Sequence, residues 1–165
     1  MLTKTVSRSL AAIVAIGALA LASDRALAAS ATGSASATIL QQITVLPGTA
    51  MAFGTIAPAA AGGTVVLSAA GTIAAVPGFA FAGTPTAGTF TVSGASGQPV
   101  IVSFSSGNTL AGPGTAMPLG VFTTSGAPAT FGAASFTLNV GASLTVNPAQ
   151  TAGSYSGSYT VNVDY

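Results

Sequence analysis

Residues 155–165 read Tyr155-Ser156-Gly157-Ser158-Tyr159-Thr160-Val161-Asn162-Val163-Asp164-Tyr165. Aromatic, apolar or glycine residues hold every odd position, and Ser, Thr, Asn or Asp every even one. Side chains of a strand alternate between two faces, so unbroken alternation over eleven residues predicts a strand with one buried face. A second such stretch runs from Ser135 to Val146. There Phe136, Leu138, Val140, Ala142, Leu144 and Val146 share one face, and Ser135, Thr137, Asn139, Ser143 and Thr145 share the other with Gly141. A glycine inside a strand marks a bulge or bend, which is expected at Gly141. Asn147-Pro148 through Gly153 reads as the connection between the two.

Shorter strands are predicted upstream. Phe53–Ile56 is closed by Pro58, and Thr64–Leu67 follows Gly62-Gly63. Thr72–Val76 is closed by Pro77-Gly78 and Thr89–Ser93 by Gly94, while Val100–Phe104 follows Pro99 and Leu119–Thr123 follows Pro118. Gly and Pro thus punctuate the chain every eight to twelve residues or so, the spacing of an all-β sandwich or barrel. No helical stripe with caps and no internal repeat competes with that reading.

The segment Ala31–Val45 is different. Its odd positions are Ala31, Gly33, Ala35, Ala37, Ile39, Gln41, Ile43 and Val45. As one strand it would span about 50 Å at 3.3 Å per residue, far beyond the usual ~17–20 Å. Either it breaks near Gln41-Gln42, or its first half projects from the body.

Charge is concentrated at the other end of the chain. Lys4 and Arg8 precede an apolar run, Leu10–Ala22, and Ala26-Leu27-Ala28 follows as a small-x-small cleavage signature, with Ala29 as an alternative. This is the layout of a secretory signal peptide, and the run falls short of the ~20 residues of a membrane span. The expected organisation is a signal peptide at 1–28, an extension at 29–40 and a β-sandwich domain at 41–165. Export to the periplasm and then the cell surface follows as the expected localisation.

Cleavage after Ala28 would remove Lys4, Arg8, Arg25 and Asp24, leaving Asp164 as the one charged side chain. Without Lys or Arg the mature chain cannot neutralise phosphates, which argues against nucleic-acid partners and against an electrostatic hold on anionic lipid. Net charge near zero favours association. That fits either a protein built to assemble or a low-complexity tract. Val, Ile, Leu and Phe recurring in patterned runs argue for the former. With no cysteine, neither disulfides nor thiolate metal sites are available.

The residues of catalysis are missing too. The chain has no His, Cys or Glu and after cleavage no Lys or Arg, so a Ser or Thr nucleophile would find no base except Asp164, and one carboxylate cannot serve as a catalytic pair. No cofactor or metal is expected, and no enzyme. Asp164 alternates with Val163 and Tyr165 and reads as a solvated strand residue, with contact to a partner as its other use. Gly94-Ala95-Ser96-Gly97 precedes a strand and lacks the lysine of a phosphate loop, so it reads as a turn. The three tyrosines could form a sugar-stacking platform, but their parity with Val161 and Val163 points to burial.

Three stretches carry a resemblance: Phe53-Gly54-Thr55-Ile56-Ala57-Pro58, Phe136 through Val146, and Ala152 through Tyr165. With the Ala- and Thr-alternating segment after the cleavage site, they resemble the bacterial family catalogued as domain of unknown function 4402, itself similar to pilin subunits of chaperone–usher fimbriae. Ala52 departs from the acidic residue expected before the Phe-Gly pair. The resemblance implies an immunoglobulin-like, pilin-like β-sandwich that lacks its last strand, leaving an apolar groove between its first and final strands. In a fibre, the extension of the next subunit fills that groove by donor-strand complementation, a form of β-strand addition. On this reading Ala31, Gly33, Ala35, Ala37 and Ile39 form the donor strand, and Tyr155, Tyr159, Val161, Val163 and Tyr165 the acceptor edge. The implied partners are copies of itself or related subunits, a periplasmic chaperone and an outer-membrane usher.

The residues alone supply two matching halves: an over-long alternating segment, and a C-terminal strand whose edge nothing follows to cover. An exposed edge is a liability unless paired. Two other readings stay open, a monomeric sandwich whose Thr- and Ser-rich face holds a glycan or ice, and a terminal adhesin. The adhesin needs a second domain for which the chain has no room, and no regular Thr-x-Thr ladder supports ice binding.

Overall fold

The computed structural model describes residues 28–132 and 135–165. The proposed signal peptide therefore lies, up to residue 27, outside the described residues. Residues 38–165 form one compact unit. From 28 to 43 no strand forms, and Ala28 through Gln42 are solvent-exposed.

The compact unit is all-β, in agreement with the alternation. Its strands are β1 (Thr44–Pro47), β2 (Thr55–Ala57), β3 (Gly63–Leu67), β4 (Ala80–Ala82), β5 (Gly88–Ser93), β6 (Ile101–Phe104), β7 (Thr109–Leu110), β8 (Met117–Ser125), β9 (Ser135–Val146) and β10 (Val161–Asp164). The large sheet runs β1-β5-β9-β8-β7, with β3 also on β9, and every pairing is antiparallel. Two ribbons, β10-β6 and β2-β4, complete the sandwich-like architecture.

β9 is the hub. One of its edges pairs with β8, while the other is shared: β5 takes residues 135–140 and β3 takes residues 142–146. Leu138, Val140, Ala142, Leu144 and Val146 are all buried, as their shared parity requires. Gly141 stands at the junction of the two partners. A side chain there would strike the main chain of Leu67, Ser68 and Ala69, where the chain leaves β3. The glycine thus permits a close backbone approach.

The bulge expected at Gly141 lies across the ladder instead. Gly120 pairs with Ser143 but Thr123 pairs with Gly141, so Val121 and Phe122 together oppose Ala142. The extra residue flips the parity of β8, so that both Leu119 and Phe122 reach the core. Val121 carries the distortion, with φ at 43°.

Two expected strands are shorter than their alternation suggests. Thr72–Val76 makes only the bridge Ile73–Leu67, because Ser68 turns the chain back through main-chain bonds to Gly71 and Thr72. Tyr155–Thr160 makes one bridge, Ser156 to Ala111, before β10 begins. Its partner is interrupted there: Ser105 and Asn108 close a turn through Ser105 Oγ–Asn108 Oδ1 at 2.8 Å and Asn108 Nδ2–Ser105 C=O at 2.6 Å. The alternation is real, but the facing chain is folded out of reach.

The core forms two clusters under the large sheet. β10 and β6 cover one, with Val163 packed on Val92, Leu138, Val140 and Phe131. The other gathers Val65, Met117, Leu119, Ala142, Leu144 and Val146. Phe122 and Tyr159 link the two: the rings of Phe104 and Phe122 stack at 4.5 Å, and Tyr159 leans on Phe122 at 5.2 Å.

Candidate functional site

The second cluster is incompletely roofed. Leu110, Met117, Leu119, Leu144 and Val146 form the floor of a groove of about 690 Å³. Met51–Pro58 makes one wall and Gln150–Tyr159 the other. Counting antiparallel steps from β1 across the sheet to β7, and then through the Ala111–Ser156 bridge, shows that the two walls run in opposite directions. A strand laid between them would be parallel to one and antiparallel to the other.

Each wall is held from its outer side. Ala52 exchanges both main-chain bonds with Thr86, and β2 pairs with β4. Ser156 exchanges both with Ala111, at 2.8 and 2.9 Å. In an antiparallel ladder the residues on either side of such a pair turn their N–H and C=O groups the other way. Tyr155 and Gly157 thus present main-chain groups along the groove side, where no strand pairs with them among the described residues. Gly157 is required for this path, since a side chain there would collide with the carbonyl of Thr109.

Tyr155 lines the groove. Its hydroxyl accepts from Gly114 N–H at 3.0 Å and Gln150 Nε2 at 2.7 Å, and donates to the Thr151 carbonyl at 2.7 Å. Tyr159 also lines the groove, and burial raises its phenol above the ordinary value of 10.0. Beyond it, the Tyr165 hydroxyl accepts from Ala95 N–H at 2.7 Å and donates to the carbonyl of Gln41. That clasp ties the end of β10 to the residues just before β1.

Of the sequence-predicted acceptor residues, the structure brings Tyr155 and Tyr159 to the groove and places Val161, Val163 and Tyr165 in the neighbouring core cluster. Of the proposed donor residues, Ala31, Gly33, Ala35 and Ala37 are exposed, and Ile39 is 94% exposed. Met51, Phe53 and Ile56 on the opposite wall, and Met117 and Leu119 in the floor, escape the sequence reading. The Phe53-Gly54 stretch is visible there, but nothing in it tells a groove wall from a buried strand. Asp164 is exposed on β10. Among the described residues no group of three His, Cys, Asp or Glu could hold a metal, and no helix is long and apolar enough to cross a membrane.

An all-β unit with an apolar seam between the Met51–Pro58 and Gln150–Tyr159 segments, rather than between its first and final strands, is the class of protein so defined. The family described as Domain of unknown function (DUF4402) matches residues 43–165, and the chain belongs to it. The match begins where the exposed segment ends. No curated protein and no solved structure matches the chain.

Proposed function

We propose that this chain is a structural, non-enzymatic subunit of a bacterial surface fibre, whose groove receives the Ala31–Ile39 segment of another copy or of a related subunit. The observation that carries the reading is the seam itself: an apolar floor flanked by unpaired main-chain groups at Tyr155 and Gly157. Such a surface is completed by one added β-strand, which satisfies the main chain and covers the floor together. The exposed segment before β1 is uncharged and alternates with the period of a strand. Ala31, Gly33, Ala35 and Ala37 would bind chiefly through main-chain hydrogen bonds. Ile39 would be the large anchor, worth about 1.5–3 kcal/mol on burial. Export by the N-terminal signal, with a periplasmic chaperone and an outer-membrane usher, belongs to the same proposal.

Deletion of residues 29–38 tests it. The truncated chain should fold but stay monomeric under native conditions, and a peptide covering Ala29–Gln42 should raise its melting temperature with increasing peptide concentration. A peptide carrying Ile39→Asp should not. Undiminished polymerisation after the deletion would falsify the assignment.

One observation favours a second reading, a monomeric glycan-binding module. Thr64 pairs with Thr145 and Thr91 with Thr137 across the outer face of the large sheet, and all four are exposed. A single monodisperse species of the full mature chain, retained on a polysaccharide matrix, would favour it.

A further inference from the structure

The sequence contains three methionines, Met1, Met51 and Met117, and the last two lie beyond the proposed cleavage site. Both line the groove. With no cysteine in the chain, these thioethers are its most readily oxidised side chains. Met51 is half-buried and packs against both core clusters. Met117 sits deeper, 7% exposed, in the cluster of Val65, Leu119, Ala142, Leu144 and Val146. Every methionine of the proposed mature chain is thus gathered at one apolar site, roomy enough at about 690 Å³ to admit a small hydroperoxide.

Oxidation changes such a site in kind. A hydroperoxide gives one oxygen to the sulfur: the O–O bond breaks and an S=O bond forms. The sulfur is oxidised by two electrons, and the hydroperoxide is reduced to its alcohol, or to water in the case of hydrogen peroxide. A flexible apolar thioether becomes a polar hydrogen-bond acceptor. The groove has little to offer that acceptor. The buried residues clustered with Met117 carry no polar side chain. On the Gln150 wall the carboxamide already donates to the Thr115 carbonyl at 2.6 Å and to the Tyr155 hydroxyl at 2.7 Å. That hydroxyl in turn donates to the Thr151 carbonyl. Covering an acceptor that has no donor weakens whatever covers it.

We propose that Met51 and Met117 form an oxidation site that governs strand acceptance. The thioether groove takes an added strand, the sulfoxide groove does not, and a docked strand shields both sulfurs from peroxide. This rests on the groove being a strand acceptor and adds the chemistry that switches it. Met51, the more exposed of the two, oxidises first. An unassembled chain that meets peroxide is barred from the fibre, while an assembled one is protected.

Monomer of the mature full-length chain, isolated by gel filtration, is treated with dilute hydrogen peroxide, and its assembly is followed by native electrophoresis. Lys and Arg are absent after Ala28, so chymotryptic rather than tryptic peptides report the oxygen gained at each methionine by mass. Met51 should oxidise before Met117, and assembly should fall about tenfold, as an acceptor buried without a donor implies. Methionine sulfoxide reductase should restore assembly, which separates the sulfoxide from other damage. Chains assembled beforehand should oxidise several-fold more slowly at Met51. Met51→Leu combined with Met117→Leu nearly conserves volume, and should assemble as well after peroxide as before it. The reductase arm needs no substitution, so the test stands even where that variant fails to fold. A Met51 that stays reduced in the folded monomer, assembly unchanged once it is oxidised, or a loss the reductase does not reverse overturns the proposal. A parent that fails to assemble before any oxidant is added overturns the strand-acceptor reading itself, and this one with it.

Discussion

Gly141→Ala reverses the usual sign of its substitution. In a strand, replacing glycine by alanine normally stabilises by about 0.5–1 kcal/mol, because the unfolded chain loses freedom. Here the added methyl would stand 2.5 Å from the Ser68 carbonyl carbon and 2.6 Å from the Ala69 nitrogen, with the Leu67 oxygen nearer still. All three are main-chain atoms, so no side chain can rotate away. Either β9 bends outward or the end of β3 lifts. Lifting β3 unpairs Leu67 from Ala142 and partly uncovers a leucine that is fully buried. Losing half of that burial costs about 1–1.5 kcal/mol, and the disturbed ladder bond about 1 more. Overpacking of main chain adds a further ~1–2 kcal/mol. After subtracting the propensity gain, the net loss is about 2–4 kcal/mol. For a unit spanning residues 38–165 each kcal/mol shifts the midpoint by about 3–5 °C, so Tm should fall by roughly 6–20 °C. Thermal unfolding followed by far-ultraviolet dichroism measures it. A Tm equal to or above that of the parent would refute the close-approach account of Gly141.

Two further predictions concern the tyrosines. Burial raises the Tyr159 phenol, so the folded chain holds that proton longer than the unfolded chain does. The contribution is intact below pH 10.0 and is lost as pH rises through the elevated value, so stability should decline in that alkaline range. Urea melts at stepped pH should show the decline in the parent and a weaker one in Tyr159→Phe; identical slopes would contradict it. Tyr165→Phe removes the acceptor for Ala95 N–H and the donor to the Gln41 carbonyl. It should cost about 1 kcal/mol and speed amide exchange at Ala95, and unchanged exchange there would dismiss the clasp.

Much of the fold is legible because one buried face imposes a period of two. β9 begins at Ser135 and ends at Val146, the limits its alternation sets, since both of its edges are paired and its even positions all meet the core. The last strand is shorter than its pattern for the complementary reason. Its alternation from Tyr155 is as regular, but a strand also needs a facing partner, and the Ser105–Asn108 turn removes one. Nothing in Gly120-Val121-Phe122 announces a bulge, because the demand comes from Phe104 and Tyr159, distant in sequence. The site divides the same way. Tyr155 and Tyr159 are legible through their own strand pattern. Met51, Phe53 and Met117 belong to a groove only through tertiary placement, which one-dimensional periodicity does not encode.

The hub position of β9 also sets the order in which the molecule can be built. Chains are made from the N-terminus, and β3 and β5 both wait for residues 135–146 before either has its main neighbour in the large sheet. Gly63 meets its partner only when Val146 arrives. Pairings this distant in sequence slow the search for the native topology and leave strand edges open in the interval. Folding speed in this chain is thus governed by when a single late segment arrives, and a nascent chain stopped short of residue 135 has no template on which to assemble the sheet.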